Sequence, residues 1–208
     1  MISLDSLLQD ASYFVKSEFN LKLIQSELKL YYQENWQQFC QTNNFGVSSG
    51  GLYVPASYSA YVNTKSPVLV SNVFHELYGH GLFCEYSQIG KRLADIIKNN
   101  SAEKSFLFDE INLQEQPLGF CKRNIQNYEG FAVWLEALLC EATGNEKIWQ
   151  IKREEHLYSD YVELFEYEQN SRLKKLCLSY FDMSGCHQCF HWWVSESAFQ
   201  FFIDVVAS

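Results

Sequence analysis

The sequence predicts a mainly α protein with a small β-sheet, of the α+β class, in a single domain over residues 1–208. Three observations carry this. Apolar residues recur at helical spacing along most of the chain. One Tyr- and Val-rich stretch, GLYVPASYSAYVNT, interrupts that pattern ahead of a long helical run. Only three prolines punctuate 208 residues, and 47% hydrophobic residues against 20% charged give enough apolar surface to fold one core without metal or disulfide support.

Residues 1–41 read as a helical N-terminal part with two helices. One runs through Leu7, Leu8, Tyr13, Phe14 and Phe19, and the other through Leu21, Ile24, Leu28, Tyr31 and Phe39, with Asn20 as the cap of the second. QTNNFGVSSGG is a loop by composition. Residues 50–64 form a strand region, either a short pair or one edge strand interrupted at Pro55, because proline cannot donate to a central ladder. Residues 66–142 hold the long helices. Ser66 caps and Pro67 occupies the first helical position of the first of them, and GKRLADIIKNN forms a second piece after Gly90. Residues 101–120 are irregular. A strong helix covers about 123–142 and stops at Thr143-Gly144-Asn145. Residues 146–208 are a helical C-terminal part that ends in an aromatic-rich tail.

The charge excludes some functions. Sixteen basic against twenty-five acidic residues leave −9, which disfavours nucleic acid and anionic membranes, since both need a basic patch. No stretch approaches the length of a membrane helix. The start, MISLDSLLQDASYF, lacks a basic region and an unbroken apolar core, so no secretory leader is expected. With seven cysteines, an odd number without framework spacing, this predicts a cytoplasmic protein with free thiols, or an effector exported without a leader.

The chemistry concentrates in His75-Glu76-Leu77-Tyr78-Gly79-His80. Two histidines at i and i+4 share a helix face, as in H-E-x-x-H zinc sites. Here the second is at i+5, about 140° around an ideal helix instead of about 40°. A π-bulge repairs this, because i→i+5 bonding makes the fifth residue the neighbour one turn on. Gly79 is the residue type that tolerates such a backbone. Apolar residues surround the motif on nearly every face, so the imidazoles are expected to be buried and to need partners or a metal. A catalytic zinc commonly takes three protein ligands. His75 and His80 are two. Glu129, which opens an otherwise apolar helix with Gly130 and Ala132 beside it, is the leading third, with Glu85, Asp109 and Glu110 as rivals. Glu136, seven residues on, either supports the site or is an exposed helix acid.

HELYGHG resembles the H-E-x-x-G-H motif of dipeptidyl peptidase III, and Tyr128-Glu129-Gly130-Phe131-Ala132 is similar to the x-E-x-x-A segment that supplies that family's third ligand. The same elements resemble the H-E-x-x-x-H and Q-E-G-L-A motifs of the tubulin tyrosine carboxypeptidases, and EGFAVWLE is similar to the EGWALYAE segment of a bacterial group of zinc peptidases. All are gluzincins. The resemblance covers about 70–142. The chain is too short for the two lobes of dipeptidyl peptidase III, and it has Val133 where that family places a supporting acid. The resemblance implies a minimal zincin-like metallopeptidase domain acting on a peptide or protein, with one Zn2+ on His75, His80 and Glu129. Such an ion lowers the pKa of water to roughly 7, and Glu76 serves as general base. It implies a transition-state histidine about sixty residues past Glu129, so His187 or His191, with Tyr128 as a competing donor. It also gives the 50–64 strand a substrate-binding role, against a purely structural hairpin. The alternatives are a peptidase-like fold used only for binding, and a structural zinc protein built on the Cys186–His191 cluster, from Cys186, Cys189 and a histidine of that segment, with or without Cys177. Those cysteines otherwise read as a redox pair or as ordinary core residues.

Overall fold

The computed structural model describes residues 3–43, 50–100, 128, 131–133 and 135–154. They form a mainly helical fold around one three-stranded sheet. Helix α1 spans Leu4–Phe19. Ser3 caps it by accepting from the Ser6 N–H, and Leu7, Ala11, Val15 and Phe19 form its buried stripe, four residues apart.

The second predicted helix is replaced by a strand and a shorter helix. Asn20 ends α1 in the left-handed region, at φ 55°, instead of opening a new helix. Strand β1 follows at Glu27–Tyr31, then helix α2 at Gln33–Thr42. The physical reason lies far away in sequence. The Glu85 carboxylate takes the backbone N–H groups of Ile24, Gln25 and Ser26 at 2.6, 3.1 and 2.7 Å, so they are not used in a helix. Residues 27–31 then pair with a strand some thirty residues on, Glu27 opposite Ser59 and Tyr31 opposite Asn63.

The strand region is a hairpin. Strand β2 covers Gly51–Val54 and strand β3 covers Ser59–Asn63, joined by a 3-10 turn at Pro55–Ser57. Pro55 sits in the turn, where its missing N–H costs no ladder bond. The order is β1-β3-β2, with β1 parallel and β2 antiparallel to the central β3. Side chains alternate between two cores. Tyr53, Ala60 and Val62 join the main core with α1 and the later helices, while Leu52 and Val54 pack with Trp36 and Cys40 under α2. On that second face Phe39 stacks on Tyr61 at 4.7 Å between ring centres.

The long helical run begins at Leu69, later than Ser66. Val68 still lies outside the helix, and Ser66 accepts from its N–H at 3.3 Å and from Asn72 Nδ2 at 2.9 Å. Helix α3 is Leu69–Val73, a π-helical turn covers Phe74–His80, and helix α4 is Gly81–Tyr86. The break before helix α5, Gln88–Asn100, falls at the extended Ser87 and not after Gly90. Ser87 Oγ accepts from the Gly90 N–H at 2.8 Å, and a Cβ on Gly90 would meet the Phe83 carbonyl. Helix α6 is helical at residues 131–133 and 135–142 and stops at Thr143-Gly144 as the sequence predicts, with Gly144 at φ 70°. Helix α7 is Glu146–Glu154. Among the described residues no helix is long and apolar enough to cross a membrane.

Gly79 is explained by packing, not by backbone freedom. Among the described glycines only Gly144 has a positive φ. A Cβ on Gly79 would lie 2.6 Å from Ala132 Cα and 2.7 Å from Ala132 Cβ, so the glycine lets the π turn touch the backbone of α6. Gly79→Ala is therefore expected to destabilise the fold by about 1–3 kcal/mol through overpacking, read as a lower midpoint of thermal unfolding. The thiols of Cys84 and Cys140 are buried, and burial pushes both pKa values well up, aided at Cys84 by Glu85 and at Cys140 by Glu136. Both are expected to resist alkylation between pH 7 and 9 in the native protein and to react once it is unfolded, as peptide mapping after alkylation would show.

Candidate metal centre

The π turn brings His75, Glu76 and His80 together. One ligand atom from each lies within 4.8 Å of the others, and this group could hold a metal ion. The imidazoles of His75 and His80 meet edge to face, 4.6 Å between centres and at 90°. His80 Nε2 is 3.8 Å from Glu76 Oε2. The i+5 spacing is thus accommodated by the wide turn that the sequence requires.

Both histidines are buried, at 3% and 2% exposure, whereas Glu76 is partly open. Tyr128 lies flat on His80, with 3.7 Å between ring centres and 13° between planes, and it is itself buried. Tyr53 flanks the same ring at 6.1 Å. The aromatic contacts fix the His80 plane. They also give Tyr128, expected from sequence as an oxyanion donor, a packing role against a ligand candidate. At the open side, Gly51 of β2 abuts Glu76, and a Cβ there would lie 2.7 Å from Glu76 Cγ.

His75 is held from behind. Its Nδ1 lies 2.9 Å from Glu136 Oε2, and Glu136 is completely buried. Of the two readings of this acid, supporting group or exposed helix acid, the structure gives the first. The carboxylate also accepts from Ser71 Oγ and, at 2.7 Å, from Lys152 Nζ. Burial alone pushes its pKa up. The Lys152 ammonium and the hydrogen bonds from His75 and Lys152 outweigh this and hold it below the usual carboxylate range. An ionised Glu136 only accepts, so His75 Nδ1 carries the proton and donates. In the neutral imidazole Nε2 then carries the lone pair, which is the state a metal ligand needs. The donor set therefore fits a metal: two buried imidazoles, one of them with its tautomer fixed, and an adjacent carboxylate.

Neither Ser71 nor Lys152 stands out in the sequence. Ser71 stands four residues before His75, on the same helical face, and that spacing was its only signal. Lys152 lies on an amphipathic helix where charged residues are ordinary. Of the rival ligands, Glu85 is committed to the three backbone N–H groups of residues 24–26. Glu129, Asp109, Glu110, His187, His191, Cys177, Cys186 and Cys189 lie outside the described residues.

Glu85→Gln is expected to cost about 1.5–3 kcal/mol, since a charged acceptor of backbone N–H groups is replaced by a neutral one. Thermal unfolding should show the loss, while a zinc titration should give the wild-type stoichiometry. A lost metal equivalent would make Glu85 a ligand after all. No protein-family model, curated protein or solved structure matches the chain.

Proposed function

We propose that the chain is a zinc-dependent metallopeptidase of the gluzincin kind, acting on a peptide or protein substrate. The observation that carries this reading is the π turn with its buried His75–Glu76–His80 group and Glu136 behind His75. A binding-only descendant has no need to retain a carboxylate beside paired imidazoles, or a buried acid that fixes one imidazole in its ligating tautomer.

His75 and His80 hold the ion, and Glu129 is the proposed third ligand. It follows Tyr128, which stacks on His80, and precedes Ala132, which touches Gly79. Zinc bound there supplies a Lewis acid for the scissile carbonyl and activates water for attack. Glu76, partly open and beside His80, accepts the proton on its carboxylate and passes it to the leaving amine. Strand β2 is one of the two outer strands of the sheet among the described residues, and its Gly51 abuts Glu76. An extended substrate backbone added to that edge would arrive at the base. His187 or His191 is proposed to stabilise the oxyanion. The free thiols of Cys40, Cys84 and Cys140 favour a reducing compartment such as the cytoplasm.

Metal analysis and cleavage assays test this together. Wild-type protein is expected to carry one zinc and to cut members of a peptide library, scored by mass spectrometry. Glu76→Gln should keep the zinc and lose about 10²–10⁴-fold in rate. His75→Ala should lose the zinc and the activity. Zinc retained by a His75→Ala, His80→Ala double variant would sink the proposed centre. Terminal trimming against internal cuts in the same assay tells an exopeptidase from an endopeptidase.

A further inference from the structure

Three donors from three helical segments converge on one buried carboxylate. Ser71 comes from α3, His75 from the π turn and Lys152 from α7, while Glu136 itself lies on α6. They are distributed unequally. Ser71 Oγ and Lys152 Nζ both donate to Oε1, whereas Oε2 faces His75 Nδ1. Two donors on one oxygen fix the rotation of the carboxylate and present the other oxygen to the imidazole. Lys152 is only 2% exposed, and an ammonium is buried at that depth only when it is paired.

We propose that Lys152 is a positioning residue of the metal centre, which with Ser71 locks Glu136 so that Oε2 keeps the proton on His75 Nδ1 and leaves Nε2 to ligate. This rests on the metal centre proposed above and adds the group that sets the state of one ligand. A lysine serving only as a structural ion pair would support the helices equally well, but it would not govern which imidazole nitrogen bears the proton.

Two readouts on the full-length protein separate these roles. The first is zinc affinity by chelator competition. The second is the 15N shifts of the His75 ring in the metal-free protein, which report its tautomer. Glu136→Gln should weaken zinc by about 10–100-fold, the usual cost of losing a hydrogen-bond partner behind a ligating histidine. Lys152→Met should weaken it by about tenfold and mix the His75 tautomers. The double variant Lys152→Met, Glu136→Gln should bind zinc no more weakly than Glu136→Gln alone, because the lysine acts through the carboxylate. The double variant also removes the buried charge that the single lysine change leaves behind. Ser71→Ala keeps both charges and should give the same pattern at about three- to tenfold, a part of the roughly 10–100-fold that loss of the carboxylate itself costs. Ser71→Ala and folded Lys152→Met with wild-type zinc affinity and unchanged His75 nitrogen shifts would overturn the proposal. So would losses that simply add in the double variant. Zinc absent from the wild type, or kept by His75→Ala, would instead remove the metal centre itself, and this inference with it.

Discussion

Two imidazoles can close on one ion from a single helix only if they face the same side. The ordinary α-helical repeat denies that to residues five apart. Phe74–His80 meets the constraint by winding as a π turn, and the surroundings are arranged to hold that rare winding in place. Gly79 brings it onto the backbone at Ala132. Tyr78 ties it to α1, donating to the Leu8 carbonyl at 2.8 Å with Ser12 Oγ at 2.7 Å. Tyr128 covers His80. An isolated helix would relax to the tighter repeat. Here tertiary contacts on several sides select the wider one.

The same region solves a charge problem. Removing a carboxylate and an ammonium from water is expensive unless each finds a partner and the remaining lone pairs are satisfied. Glu136 has Lys152, Ser71 and His75 as donors, so its burial becomes a means of orienting the imidazole. Glu85 shows a second use of a buried acid. It turns three backbone N–H groups of residues 24–26 away from helix formation, and β1 follows from that turn.

What could be read from the sequence was what depends on near neighbours. The i+5 spacing of His75 and His80 foretold the π turn, the four-residue stripe foretold α1, and Thr143-Gly144 marked the end of α6. Strand β1 was hidden because Leu21, Ile24, Leu28 and Tyr31 fit a helical stripe, while Glu85 and β3, which decide the matter, lie far along the chain. Gly79 is conspicuous inside the motif, but its role comes from Ala132, a contact that no local window contains. Glu136 stood out only as an acid on the Glu129 helix. Lys152 carried no mark at all, because an amphipathic helix displays charged residues whether they meet water or a buried carboxylate.

The proposed dependence of His75 on Glu136 and Lys152 would also order events in time. A chain is made from its N-terminus, and a domain folds as a unit. The two histidines therefore leave the ribosome well before α6 and α7. Until α6 has docked, His75 lacks its carboxylate, and until α7 has docked it lacks the ammonium that steadies that carboxylate. A metal met by the nascent chain finds an imidazole of undetermined tautomer on a turn that still lacks its packing partner at Ala132. On the proposed reading, a metal would be captured only after α6 and α7 have docked, and a chain ending ahead of Lys152 would keep both histidines without the group that orients one of them.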